Sequence, residues 1–243
     1  MSAISEENNN TNNTRTLFID RTQAATLLAE KLKFLTTKEL REKKDQQQQK
    51  QQQQLVILAI PRGGVITGDA IASAFNAKLD IVVTRKVGAP YNSELAIGAV
   101  MHDGTFFPNT HIIEMLRIPK DYIDEQILIQ MKEIERRLRR FRGASKDHRY
   151  EIENKTIVLV DDGIATGATI SAAIKWLKRQ NPEELIVAVP VAPRDTVDKL
   201  RQQVDKVVVL HAPILFEAVG SFYQDFSQVS DDKVVDIMSK YKV

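Results

Sequence analysis

Short uninterrupted apolar runs alternate with stretches whose apolar residues recur at helical spacing from about residue 55 to 215, and this alternation organises the chain. The runs are Leu55 to Ile60 (LVILAI), Leu79 to Thr84 (LDIVVT), Ala96 to Met101, Thr156 to Val160 (TIVLV), Leu185 to Val191 (LIVAVPV) and Lys206 to Leu210 (KVVVL). Continuous aliphatic residues, in place of strict apolar–polar alternation, mark strands covered on both faces. Helices are expected from about Val65 to Phe75, Thr169 to Arg179 and Asp195 to Gln203, each after a Gly- or Pro-containing loop. An earlier helix should start at an Asp20 N-cap and bury Ala24, Leu27, Leu28, Leu32 and Leu35. Strands alternating with helices predict an α/β fold, a mainly parallel twisted sheet flanked by helices. In such sheets ligands sit beyond the carboxyl ends of the strands.

Three segments break the alternation. Residues 1–14 are rich in Asn, Ser, Thr and Glu, and residues 43–54 are almost entirely Gln and Lys, so neither can bury enough apolar surface to offset its chain entropy. Both are expected to be disordered, the second as a lengthened surface loop. Residues 104–153 form an excursion between strands, within which Ile127, Met131, Ile134, Leu138 and Phe141 repeat at helical spacing. Arg136, Arg137, Arg139, Arg140 and Arg142 occupy its other faces, either as a solvated basic face, a lid delivering Arg142 or Lys146, or a docking surface for RNA. The rest of 15–243 is expected to be one domain, closing with a small element over 211–243.

Composition narrows the chemistry. The 243 residues are 43% hydrophobic and 27% charged with a net charge of +2, so nothing global draws the chain to nucleic acid or an anionic membrane. Without cysteine there is no disulfide framework, thiolate metal site or thiol nucleophile. No secretory leader or membrane span is legible, and a cytoplasmic location is expected. The four histidines, His102, His111, His148 and His211, lack metal-ligand spacing, and Trp176 reads as core.

The densest chemistry follows the TIVLV run, in Asp161, Asp162, Gly163, Ile164, Ala165, Thr166, Gly167, Ala168 and Thr169. Adjacent carboxylates repel and need hydroxyl or cationic partners. Ala165 to Thr169 offers small residues and two hydroxyls where a helix begins, so backbone N–H groups can converge on a phosphate. Together they describe a cradle for a ribose 5-phosphate. Pro61, Arg62, Gly63 and Gly64 form a second Gly loop, in which the glycines permit unusual backbone conformations and Arg62 offers a planar fork for phosphate. Arg85 to Glu94 (RKVGAPYNSE) follows the second strand, with Arg85 and Lys86 as cations and a Gly-Ala-Pro bend.

The segment VLVDDGIATGAT resembles the signature loop of the type I phosphoribosyltransferases, and Pro61-Arg62-Gly63-Gly64 is similar to that family's diphosphate loop. RKxGxP followed by Glu94 resembles a subgroup of uncharacterised phosphoribosyltransferase-domain proteins. The resemblance implies that Asp161 and Asp162 hold the ribose hydroxyls, that Gly163 and Ala165 to Thr169 wrap the 5-phosphate, and that Arg62, Gly63, Gly64, Arg85 and Lys86 grip the diphosphate of 5-phosphoribosyl 1-diphosphate. It implies a flexible flap near 104–153 and a C-terminal hood in which Phe216, Val219 or Tyr223 stacks on the acceptor. It also implies magnesium held through the ligand, with Asp161, Asp162 and Glu94 as candidate contacts and no all-protein cage. Arg62, Lys86, Asp161 and Asp162 would carry catalysis in a homodimer with a small nitrogenous acceptor. A ligand-sensing regulator that binds RNA is the rival reading. Ala165 replaces the Asp of hypoxanthine and guanine enzymes, which argues against those acceptors.

Overall fold

The computed structural model describes residues 16–35, 55–143 and 150–241. The stretches 1–14 and 43–54, Lys146 and His148 lie outside them. Helix α1 (Arg21–Lys31) begins as expected at Asp20, whose carboxylate accepts from Gln23 N at 2.8 Å. Ala24, Ala25, Leu28, Ala29, Leu32 and Leu35 are buried, whereas Leu27 is exposed because Ala25 and Ala29 turn the buried stripe away from it. Then come β1 (Leu55–Ala59), α2 (Gly63–Phe75), β2 (Lys78–Ile81), β3 (Thr84–Ala89), β4 (Asn92–Met101), β5 (Phe106–Pro108), α3 (Thr110–Met115) and α4 (Lys120–Arg142). The chain continues through β6 (Thr156–Val160), α5 (Ala168–Lys178), β7 (Glu184–Val191), α6 (Arg194–Arg201), β8 (Lys206–His211), a 3₁₀ turn (Val219–Phe222) and α7 (Asp231–Ser239).

The main sheet is parallel in the order β2-β1-β6-β7-β8, the α/β arrangement expected from the alternation. Helices α1, α2, α4 and α7 contribute to the core on one face, and α5 and α6 to the core on the other. The winding reverses between β1 and β6, because β1 runs out to β2 on one side and the chain then returns to the other. A crevice opens at such a switch point beyond the strand ends. The Pro61 and Asp161 loops both emerge there.

One expectation needs correction. The single strand expected from Leu79 to Thr84 divides: β2 ends at Ile81, and Thr84 opens β3 in a separate antiparallel sheet β3-β4-β5. Arg85, Lys86, Val87, Gly88 and Ala89 therefore stand in a strand paired with β4, where a rim loop was expected, and Ala96 to Met101 joins this second sheet. The excursion 104–153 carries the helix expected in it, and Ile134 and Phe141 of α4 are fully buried. Its amphipathic period outweighs its charge, since the apolar stripe has β3 and α7 to pack against.

Candidate functional site

Strand β6 delivers Asp161 and Asp162 to the crevice, and α5 begins six residues later. Gly167 caps that helix in the left-handed region, φ +75°, where a side chain would be strained. The turn leaves the unpaired N–H groups of the first helical turn facing a pocket of about 150 Å³ lined by Asp161 and residues 163–170. A helix N-terminus with hydroxyls at Thr166 and Thr169 suits an anion.

The two carboxylates differ. Asp161 is half-buried, its Oδ1 accepting from Asp162 N at 2.8 Å, and burial followed by the neighbouring Asp162 charge pushes its carboxyl well above the usual range. Asp162 Oδ2 accepts from Arg21 Nε at 2.6 Å, and Tyr223 donates its hydroxyl to Asp162 O at 2.6 Å. A Cβ built on Gly163 would lie 2.4 Å from Val219 Cγ1, so the 3₁₀ turn closes directly on this loop.

The Pro61 loop lies against the carboxylates. The Pro61–Arg62 peptide is cis, and α2 starts at Gly63, earlier than the helical pattern suggests. Neither Gly63 nor Gly64 has a positive φ, so conformational freedom is not their use. Their use is room: a Cβ on Gly63 would fall 1.7 Å from Asp162 Oδ2, and one on Gly64 would fall 2.9 Å from Asp161 Cα. Arg62 Nη1 lies 3.4 Å from Asp231 Oδ1 at the start of α7.

The remaining candidates scatter. Successive strand residues point to opposite faces. Arg85 donates to Gln130 Oε1 on α4, and burial together with Arg137 lowers its pKa, whereas Lys86 pairs with the exposed Glu94 at 3.0 Å. Arg85 and Lys86 therefore do not converge on one point. Arg142 donates to Asp80 and Ile81 O and lies over Tyr150, which commits it to the body of the fold and removes it as a lid residue. Tyr223 is 5% exposed, packed against Phe18 and Phe226, so it supports the loop and offers no open ring for stacking. Phe216 packs on Phe222, partly open, with Val219 nearer the loop. Phe107 and Phe34 are overlaid by cations elsewhere in the fold.

Two residues that sequence reasoning passed over belong to this network. Arg21 is one. Asp231 is the other, meeting Arg62, Arg136 and Arg140 within 3.6 Å. Arg21 had a local signal: it is a cation in the first turn of a helix, where the dipole disfavours one.

Residues 24–225 match the family model described as a phosphoribosyl transferase domain. A Mycobacterium tuberculosis protein provisionally named a phosphoribosyl transferase, found in two strains, is 36% identical over 224 residues. The match takes in 92% of this chain and 47% of that protein, so the chain spans about half the length of the curated relatives it matches. The crystal structure of a Thermus thermophilus protein, TT1426, superposes with a TM-score of 0.71 at 33% identity, covering 93% of this chain and all of that one.

Proposed function

The chain belongs to the phosphoribosyl transferase family, its type I branch, and from that premise we propose that it moves the phosphoribosyl group of 5-phosphoribosyl 1-diphosphate to a nitrogen of a small acceptor. The observation that carries this reading is the meeting of two loops at the switch point, with the Gly63–Gly64 backbone against the Asp161–Asp162 pair and an anion-suited helix start beside it. The acceptor nitrogen's lone pair forms the new bond to C1 of the ribose. The C1–O bond breaks, its electron pair leaves with diphosphate, and any proton displaced from the nitrogen passes to water.

Positive charge gathers on the sugar ring in such a displacement, as it does in glycoside chemistry. The role of Asp161 and Asp162 is to accept the ribose hydroxyls and lend negative charge there. The N–H groups of residues 165–169, with the Thr166 and Thr169 hydroxyls, hold the 5-phosphate. Arg62, the N–H groups of Gly63 and Gly64, and Lys86 receive the diphosphate. Arg85 is too engaged with α4 to share this work.

Magnesium, bound with the donor, would neutralise part of the charge on the leaving diphosphate. Among the described residues no three His, Asp or Glu side chains form a metal-holding group, and Asp162 is partly taken by Arg21. Hard carboxylate oxygens still fit such an ion when the ligand and water supply most of its shell. Asp161 and Asp162 are the residues to touch it, and Glu94, paired with Lys86, is the outlying candidate.

The RNA-sensing reading loses its main support in the pairing of the arginines on α4. Arg136 and Arg137 meet Glu133, Arg139 meets Glu135, and Arg140 meets Asp232. A homodimer in the cytoplasm completes the proposal, and light scattering with cell fractionation checks it. The direct test is diphosphate release from the donor with magnesium and a panel of nitrogenous bases. Base-dependent release is expected, and a protein that binds the donor but releases no diphosphate with any base would reject transferase activity.

A further inference from the structure

Arg21 opens α1 with no acidic neighbour in its first turn, so the helix end itself disfavours the cation and an anion from elsewhere must compensate it. Asp162, 141 residues away, is that anion. The pair is nearly enclosed, with side chains 10% and 15% exposed, and three contacts fix the guanidinium plane. Nε donates to Asp162 Oδ2, Nη1 donates to Ser227 O at 2.8 Å, and the carbon centre lies 3.8 Å from the centroid of the Phe226 ring. A lysine could supply the charge but not this fork.

The other side of the same carboxylate is equally constrained. Gly63 approaches so closely that a Cβ would fall 1.7 Å from Oδ2, and the Tyr223 hydroxyl holds the Asp162 backbone carbonyl. Oδ2 is thus occupied by the protein. The Asp161 side chain lies within hydrogen-bonding reach of the same carboxylate, so Asp162 stands between the Arg21 guanidinium and its acidic neighbour.

Resting on the donor-site reading above, we infer that Arg21 is a positioning residue for the phosphoribosyl donor, fixing Asp162 through Oδ2 so that its carboxylate is set to meet a ribose hydroxyl. Its charge also offsets one of two adjacent carboxylates facing a ligand that carries phosphate groups at both ends. Three distant parts of the chain meet for this purpose: the start of α1, the β6 loop and the segment after the 3₁₀ turn.

A purely structural Arg21, tying α1 to residues 222–227, would act independently of the Asp162 charge, and a double-mutant cycle separates the two roles. Donor affinity and donor KM are measured for the native protein, Arg21→Ala, Asp162→Asn and the double variant, with melting temperature as a record of folding. Arg21→Ala is expected to weaken donor binding on the order of tenfold, raising donor KM more than it lowers kcat, and to weaken it little further once Asp162 is Asn. Arg21→Lys should fall between, and it carries the same cycle if the alanine variant does not fold. Equal fold losses in both backgrounds, or none in the native one, would overturn the inference while leaving the donor site intact. Absence of donor binding by the native protein would instead remove the reading beneath it.

Discussion

Gly63 leaves no space for even one added carbon, because Asp162 Oδ2 stands 1.7 Å from where that carbon would go. Gly63→Ala should therefore displace the Asp162 carboxylate, costing about 1–3 kcal/mol of stability and on the order of tenfold or more in donor affinity. Thermal melts with and without donor read both, and a variant of native donor affinity would contradict the geometry. Asp161 gives a prediction of the opposite sign for stability. Its raised carboxyl means that losing the proton is harder in the folded than in the unfolded state, so folding is penalised as pH rises above the ordinary carboxylate value. Asp161→Asn should raise the melting temperature at neutral pH by a few degrees while weakening donor binding, the trade expected of a group strained for function. A lower melting temperature would count against it. The Asp161–Thr169 loop was legible in sequence because its carboxylates, hydroxyls and glycine are contiguous. The Arg21 pairing was not, since its partner is 141 residues distant, and the glycines of the Pro61 loop suggested conformational freedom where the fold needed room.

Helix α4 is the element whose role changed most. Its apolar period was readable, but the arginines on its other faces drew attention to a mobile or RNA-facing surface. Glu133 and Glu135 compensate three of them, and a pKa of about 2 for Glu133, held down by Arg136 and then Arg137, reflects that pairing. Ile134→Ala should cost about 2–5 kcal/mol, as for any fully buried aliphatic side chain, if α4 is part of the core. Arg139→Ala should change stability by less than about 1 kcal/mol, its partner being an exposed glutamate. Urea titrations of both variants check this, and a near-neutral Ile134→Ala would return α4 to a loosely held flap. The β2–β3 break escaped sequence reading for a different reason. Val82 and Val83, between the two strands, are as buried as the strands themselves, so the apolar run continues through the point where the chain leaves one sheet for the other.

At the scale of the molecule, the βα alternation was enough to anticipate a doubly wound sheet and therefore a ligand crevice, because covered parallel strands admit few connections. What joins the second sheet to the first was hidden, and much of it is a half-buried cluster. His102 packs on Tyr150 and Trp176, Trp176 donates to Asp103, and Arg142 and Asp80 lie close by. Burial lowers the His102 pKa from 6.5 to about 4, outweighing the raising effect of Asp103. The unfolded chain thus binds a proton that the folded chain refuses between those values, so stability is intact above pH 6.5 and falls as pH drops toward 4. The loss should approach about 3 kcal/mol, and His102→Gln should flatten that limb of the denaturation profile. An unchanged pH dependence would show that His102 is not its source.

The central claim is that the crevice between β1 and β6 takes a phosphoribosyl diphosphate through its paired carboxylates. Calorimetric titration of the native protein and of the Asp161→Asn, Asp162→Asn double variant with 5-phosphoribosyl 1-diphosphate and magnesium tests it most directly. Saturable binding by the native protein, lost or weakened at least about tenfold in a variant that still melts cooperatively, is the result predicted. No binding by the native protein, or equal binding by both, would contradict it.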